Sequence, residues 1–228
     1  MSTGGQTANV GALRKDLMRR FRTAESTFRI AGRDLSLLHP ANAEDLIDEE
    51  DFERDERLPY WADIWPSGRV LAEHVAGLRG DGKSLLELGC GAGLVAAAAA
   101  LAGFEVCATD YYEDALHFTR VNVASLSGEI PRTRLVDWRE LPTDLGRFDY
   151  VVGSDVLYER SYGPLVARAV DVTLKRNGEA IIADPGRIAA EEFVRDAAQR
   201  ELRIAGNEDV QFTEGVVRQR IRLYRLKR

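Results

Sequence analysis

The residues best suited to chemistry begin at Leu85-Leu86-Glu87-Leu88-Gly89-Cys90-Gly91-Ala92-Gly93, which reads as a strand, a glycine-rich turn and the start of a helix. Glycines let a backbone turn sharply and approach a ligand closely, and the following helix start offers unpaired N–H groups. Glu87 stands two residues before the first glycine, where an acid is unfavourable beside a pyrophosphate and useful beside a cation. Asp110 closes the next apolar stretch, seventeen residues after Gly93, from where a carboxylate accepts both hydroxyls of a ribose. A dinucleotide fingerprint needs Gly or Ala at position 94, and this chain has Leu94. No lysine follows the glycines, so a phosphate-cradling loop is excluded. The spacing asks for a ligand with a ribose, an adjacent positive centre and no phosphate. S-adenosylmethionine is such a ligand.

The elements that must position these residues alternate along the chain. Strands are predicted at Ser84–Leu88, Phe104–Thr109, Thr133–Val136, Phe148–Gly153 and Ala180–Ala183. Between them lie helices at Ala92–Ala102, at Glu113–Ser125, behind Pro164 through Leu174 to a stop at Gly178, and at Ala189–Arg200. Two last strands, near Leu202–Ala205 and Val216–Leu226, have no helix between them and should pair antiparallel. Such alternation gives an α/β fold, a mainly parallel sheet wrapped by helices on both faces. Upstream, residues 1–8 read as disordered, and Val10, Leu13, Leu17, Met18 and Phe21 lie at helical spacing. Thr27–Leu38 reads as a hairpin turning at Ala31-Gly32. Ser67 is placed to cap a helix whose apolar face is Leu71, His74, Val75 and Leu78, ending at Gly80; His74 there reads as packed core. The division expected is an N-terminal extension over 1–58 and one catalytic domain over 59–228.

Composition narrows the class. The chain has 228 residues, 45% of them hydrophobic and 30% charged, as expected for a globular domain with its own core. The uncharged run Cys90–Phe104 falls short of the ~18 residues of a membrane span and contains glycines, and the N-terminus lacks the apolar stretch of a secretory signal. Cys90 and Cys107, both in apolar surroundings, suit the reducing cytoplasm and make no zinc spacing. The net charge is −6, yet Glu44–Glu56 holds nine acids with Arg54 and Arg57 as the nearby bases. This run is a candidate docking surface for a basic protein partner. The arginines at 218, 220 and 222 instead suit an acidic one. The overall charge speaks against a broad nucleic-acid face, and no acid–histidine cluster suggests a metal.

Glu87–Gly93 together with Asp110 resembles motif I and its downstream acid in the seven-β-strand S-adenosylmethionine-dependent methyltransferases, over about residues 60–228. The resemblance implies a Rossmann-like sheet of order 3-2-1-4-5-7-6 with the last strand antiparallel. It also implies that Glu87 lies near the methionine amino group of the cofactor, with Gly89, Cys90, Gly91 and Gly93 forming the cradle. Asp110, followed by Tyr111, would hold the ribose. Val136-Asp137-Trp138 resembles the segment whose acid binds the adenine amino group and whose neighbour packs on the ring. After transfer the product would be S-adenosylhomocysteine.

Three further stretches resemble the protein-lysine branch. Ser154-Asp155-Val156-Leu157-Tyr158 carries its Asp-x-x-Tyr pattern in place of the Pro-Pro segment of adenine or amide methyltransferases. Trp61–Gly68, with Trp65, is similar to its tryptophan-containing cofactor segment. Asp184-Pro185-Gly186-Arg187 is similar to a segment of the enzymes that methylate the electron transfer flavoprotein β subunit, which makes Asp184 and Arg187 candidate substrate-binding residues. Asp155 would orient the amine and accept its proton, and Tyr158 would offer a ring face to the developing cation. The expected partner is a protein bearing the target lysine, and a monomer is the default. Rival readings are a small-molecule N- or O-methyltransferase, a non-catalytic S-adenosylmethionine-binding regulator, a nucleic-acid methyltransferase, and a nicotinamide dehydrogenase, which Leu94 opposes.

Overall fold

A computed structural model describes residues 3–46 and 59–228, with side chains from Val10 onward. Most of the acidic run, from position 47 to Glu56, lies outside the described residues. Helix α1 spans Thr3–Arg20, followed by strands β1, Thr23–Ile30, and β2, Arg33–Pro40. A short 3-10 turn at Tyr60–Ala62 leads into α2, Pro66–Ala76. Then come β3 Ser84–Leu88, α3 Leu94–Leu101, β4 Glu105–Asp110, α4 Glu113–Ser127 and β5 Arg132–Leu135. The chain continues through β6 Phe148–Ser154, α5 Tyr162–Thr173, β7 Leu174–Asp184, α6 Ala190–Gln199, β8 Arg203–Glu214 and β9 Val217–Lys227.

The seven-stranded sheet has the order β5-β4-β3-β6-β7-β9-β8. Strands β3 to β7 pair in parallel, and β9 runs antiparallel to both neighbours. Counted from β3, this is the 3-2-1-4-5-7-6 order that the resemblance implied. From β3 the chain moves first toward β4 and β5, then crosses to β6. Between the carboxyl ends of β3 and β6 the order changes direction, and there such sheets bind ligands. The central strands are buried on both faces: Leu85, Leu86 and Leu88 are fully enclosed, as are Val151, Val152, Ile181 and Ile182. One face is covered by α2 and α3, where Ala96–Ala99 are buried and let the helices approach closely. The other is covered by α5 and α6 through Val166, Val170 and Phe193.

Several elements depart from the sequence expectations. Helix α1 extends back to Thr3, into a stretch expected to be disordered; once its later turns are packed, each added residue gains one backbone hydrogen bond. Leu17 is buried on its inner face, but Met18 is 53% exposed and does not belong to that face. The hairpin is longer than expected, pairing from Thr23↔Pro40 to Ile30↔Arg33. It turns at Ala31 and Gly32, both left-handed as a two-residue hairpin turn requires. Helix α2 ends at Gly77 rather than Gly80 and has no side-chain cap. Ser67 does not cap it, because its hydroxyl is bonded to Asp155. His74 is partly buried, and burial holds its imidazole toward the neutral form. Leu174 and Gly178 belong to β7, not to the preceding helix; Leu174 is fully buried and pairs with Phe148.

The hairpin is bound into the same core. Ile30, Leu35 and Leu37 pack with Val70, Leu71 and Val75, while Leu38 packs with Leu17, Phe118 and Val121. Asn122 of α4, 1% exposed, joins three segments. Its Oδ1 accepts the Leu38 N–H, and its Nδ2 donates to the carbonyls of Leu38 and Ala92, each at 2.8 Å. Asn122→Ala would leave those groups buried without partners, at roughly 1–3 kcal/mol for each. We expect it to lower stability by about 2–4 kcal/mol in urea unfolding and to weaken donor binding, because Ala92 lies in the glycine loop. A loss under about 0.5 kcal/mol would show that the hairpin does not depend on this link.

Candidate functional site

The glycine turn is built by steric exclusion. Gly89, Gly91 and Gly93 have φ of 68°, 53° and 88°. A Cβ on Gly91 would sit 2.9 Å from the Trp61 carbonyl oxygen, and one on Gly93 would sit 2.8 Å from Thr119 Cα. The positive φ of Gly93 delays α3 to Leu94, two residues later than the sequence suggests. Thr119 Oγ1 donates to the Gly91 carbonyl at 2.9 Å, with Cys90 Sγ 3.3 Å away. The Cys90 N–H donates to the Thr109 carbonyl, tying the turn to the end of β4. Cys90 is buried, which pushes its thiol well up and keeps it unreactive.

Asp110, also buried, fastens the turn from the other side. Its carboxylate accepts the Gly91 N–H at 2.9 Å and the Tyr112 N–H at 3.0 Å. Each oxygen keeps acceptor capacity, as two ribose hydroxyls require. Burial raises its pKa, partly offset by those backbone donors. Glu87 is 1% exposed and its Oε2 has no hydrogen-bond partner among the described residues. Burial, and then the nearby Asp110 charge, push its pKa well above the ordinary value of 4.5. A buried carboxylate with an orphaned oxygen calls for a cation or a donor that the protein itself does not provide.

Both acids open onto one cavity of about 1070 Å³. Its wall includes Trp65, Glu87, Gly89, Cys90, Gly91, Gly93, Asp110, Tyr111, Asp137, Trp138, Ser154, Asp155, Tyr158 and Arg187, all selected from the sequence. The exception is Asp184, which lies outside that wall. It is 1% exposed and its Oδ2 accepts the N–H groups of Gly186 (2.7 Å) and Arg187 (2.9 Å). It shapes the loop that carries Arg187, where a substrate contact was expected. Asp137 lines the cavity with its carboxylate turned to Arg139, accepting the backbone N–H at 2.9 Å and the side-chain NH2 at 2.6 Å. Trp138 stands edge-on to Tyr162, ring centres 5.3 Å apart.

At the other end of the cavity, Asp155 has a left-handed backbone, φ 57°, fixed by its N–H to the Ala183 carbonyl at 2.9 Å. This conformation is costly for a residue other than glycine and is concentrated at functional sites. Its Oδ2 accepts from Ser67 Oγ at 2.5 Å and its Oδ1 from Arg187 Nε at 2.5 Å. Tyr158 lies between Tyr60 and Tyr162, both edge-on, with centres at 5.5 and 5.0 Å; burial raises its pKa and keeps it a neutral phenol. Trp65 donates its Nε1–H to the Tyr60 carbonyl at 2.9 Å, and Arg187 stacks over its ring at 5.4 Å. Tyr60, Thr119 and Tyr162 have no role in the sequence reading, whereas Trp61 and Ser67 fall in the stretch similar to a cofactor segment, Ser67 being read there as a helix cap. The bonds that Ser67 and Thr119 make carry no local signal, since their partners are 88 and 28 residues away.

Comparison with known proteins identifies the family. A family model described as lysine methyltransferase matches residues 51–199. The chain belongs to the lysine methyltransferase family. It is 33% identical over 135 residues to the electron transfer flavoprotein beta subunit lysine methyltransferase of Mus musculus, covering 57% of this chain and 51% of that one. To the zebrafish (Danio rerio) enzyme of the same name it is 29% identical over 138 residues, 59% and 53% of the two chains. The chain thus spans about half the length of these relatives. A longer match, 31% identity over 183 residues, is to protein N-lysine methyltransferase METTL21A of Danio rerio, covering 73% of this chain and 81% of that one. Among solved structures, the magnesium protoporphyrin IX methyltransferase of Synechocystis with bound SAM aligns at TM-score 0.58 and 17% identity, over 81% of this chain and 94% of that one. At that identity it establishes the fold alone.

Two measurements check the cradle. Because the folded protein raises the pKa of Glu87, the unfolded chain holds fewer protons than the ligand-free native state above about pH 4.5, and stability falls as pH rises through that window. Glu87→Gln should therefore stabilise the ligand-free protein at pH 8, with the difference vanishing below pH 4.5, in denaturant unfolding at both pH values. The same variant should bind S-adenosylmethionine at least about tenfold more weakly by calorimetry, a charge-assisted contact being worth ~1.5–3 kcal/mol. Unchanged affinity would remove Glu87 from the donor site.

Proposed function

We propose that this protein transfers a methyl group from S-adenosylmethionine to the ε-amino group of a lysine in a protein substrate. One observation carries the reading: a fixed, left-handed Asp155 lies among aromatic rings in the same cavity as the glycine cradle. The donor fits the cradle's own chemistry. The orphaned, buried Oε2 of Glu87 suits an ammonium, and Asp110 suits a ribose. Trp138 would pack on the adenine and Asp137 would meet its amino group, with Tyr111 and Ser154 along the cavity wall. When bound, the donor supplies a methyl group on a sulfonium.

The remaining work falls to the acceptor end. Free lysine has a pKa near 10.4, and an ammonium has no lone pair with which to attack. Asp155 would orient the amine through Oδ1 and accept a hydrogen bond or a proton from it. The rings of Trp65, Tyr60 and Tyr158 would exclude water and favour the positive charge that develops on nitrogen. Holding amine and methyl in line can contribute on the order of 7 kcal/mol. The electron transfer flavoprotein β subunit is the candidate substrate, supported by the two relatives of that name and by Asp184-Pro185-Gly186-Arg187. Two buried free cysteines support work in a reducing compartment, the cytoplasm being the natural one.

Transfer of labelled methyl groups from S-adenosylmethionine into a lysate of the same organism lacking this gene tests the reading. Label in a protein fraction, mapped to lysine, is the expected result, whereas label only in small molecules or nucleic acid overturns it. Asp155→Asn should lower kcat by about 100-fold or more while leaving the Kd for S-adenosylmethionine within about threefold. Equal loss of both would make Asp155 a donor-binding or structural residue.

A further inference from the structure

Both oxygens of Asp155 are already engaged, and the two partners differ in how readily they can leave. Ser67 is fully buried in the first turn of α2, so its bond to Oδ2 is sealed from water. Arg187 is different: a third of its side chain is exposed, and it sits on the loop between β7 and α6 directly after the left-handed Gly186. Its backbone is anchored separately, through its N–H to Asp184 Oδ2. The guanidinium can therefore move into solvent while the loop stays in place.

The position Arg187 occupies is the more informative point. Its Nε lies 2.5 Å from Asp155 Oδ1 and its guanidinium lies over Trp65, ring centre at 5.4 Å. A carboxylate oxygen and an aromatic face are what an incoming alkylammonium would need in order to dock at the reacting end of the cavity. We propose that Arg187 holds the acceptor's place in the free protein and is displaced by it, so that arginine and acceptor compete for one seat made by Asp155 and Trp65. Arg187 is then a specificity-determining residue: an acceptor enters only if its cation can replace a guanidinium. Ser67 is a positioning residue that keeps Asp155 aimed once Arg187 has left. The identity of the acceptor as lysine rests on the proposed function; the seat and its occupant rest on the geometry alone.

Competition lowers the apparent affinity of an acceptor in proportion to the fraction of seats that are open. The opposite behaviour follows if Arg187 binds substrate, since removing it would then weaken binding. The probe is n-butylammonium, a lysine side chain without its backbone, titrated into the full chain with S-adenosylhomocysteine present. Binding is read from the indole N–H signal of Trp65, assigned by its loss in Trp65→Phe. Arg187→Ala and Arg187→Gln should both bind the probe at least about tenfold more tightly than wild type, the glutamine variant keeping much of the stem should the alanine variant fold poorly. Asp155→Asn should lose binding. Equal or weaker binding in both arginine variants, or none in any form, overturns the proposal. A lysate acceptor other than lysine, with this affinity pattern intact, would remove the lysine reading and leave the competition standing.

Discussion

The structure depends most on the absence of space around the glycine turn. At Gly91 and Gly93 a single added carbon would press into the Trp61 carbonyl and the Thr119 backbone. That closeness brings four parts of the chain to one point: the end of β3, the aromatic segment before α2, the middle of α4, and Asp110 at the end of β4. Asp110 bonds the turn directly, and Thr119 bonds it from behind. The cavity and the placement of its acids follow from this junction. Beneath this firmly held turn Glu87 keeps a buried oxygen without a partner among the described residues, an unfavourable burial that a cation or donor would relieve.

The end of the cavity that holds Asp155 is fixed by a different device. Asp155 takes a conformation that an ordinary residue avoids, and its neighbours compensate: Ala183 on β7 accepts its N–H, Ser67 on α2 fixes one oxygen, and Arg187 takes the other. These three partners come from separate elements, so the geometry of one carboxylate depends on the packing of α2 against the ends of β6 and β7. Gly68 lies at that contact, where a Cβ would come within 3.4 Å of Ser154 Oγ. The N-terminal hairpin contributes indirectly, by burying Leu35 and Leu37 in the same cluster as α2 and by the Asn122 link to the glycine loop. Two arginines of β9 share a partner on β8: Arg222 pairs with Asp209 at 2.7 Å, and Arg220 lies 3.9 Å from the same carboxylate.

Much of this was legible in the sequence because it is local. The strand at Ser84–Leu88, the glycine turn and Asp110 each declare themselves through residue type and short spacing. The alternation of apolar strands and helices fixed a parallel sheet, and the missing helix before the last strand required an antiparallel return. Errors came where one element depends on another. Leu174 looks helical by period, yet a fully buried place beside Phe148 makes it the start of a strand. Ser67 has the type and position of a helix cap, but a buried carboxylate 88 residues away takes its hydroxyl. Asp184 matched a motif, while its backbone contacts show it shaping the loop.

The sequence by itself therefore determined the class of fold, the glycine turn and the place of Asp155 and Tyr158 beyond β6, since period-2 and period-3.6 patterns and glycine spacing act over a few residues. Only the tertiary structure decided which groups meet Asp155, that Arg187 lies over Trp65, and that Asn122 ties the hairpin to the glycine loop. Those contacts join residues 32, 122 and 84 positions apart for the pairs Asp155–Arg187, Arg187–Trp65 and Asn122–Leu38. No local pattern encodes such distances. They arise when buried polar groups, excluded from water, must find partners on whatever element the packing brings near.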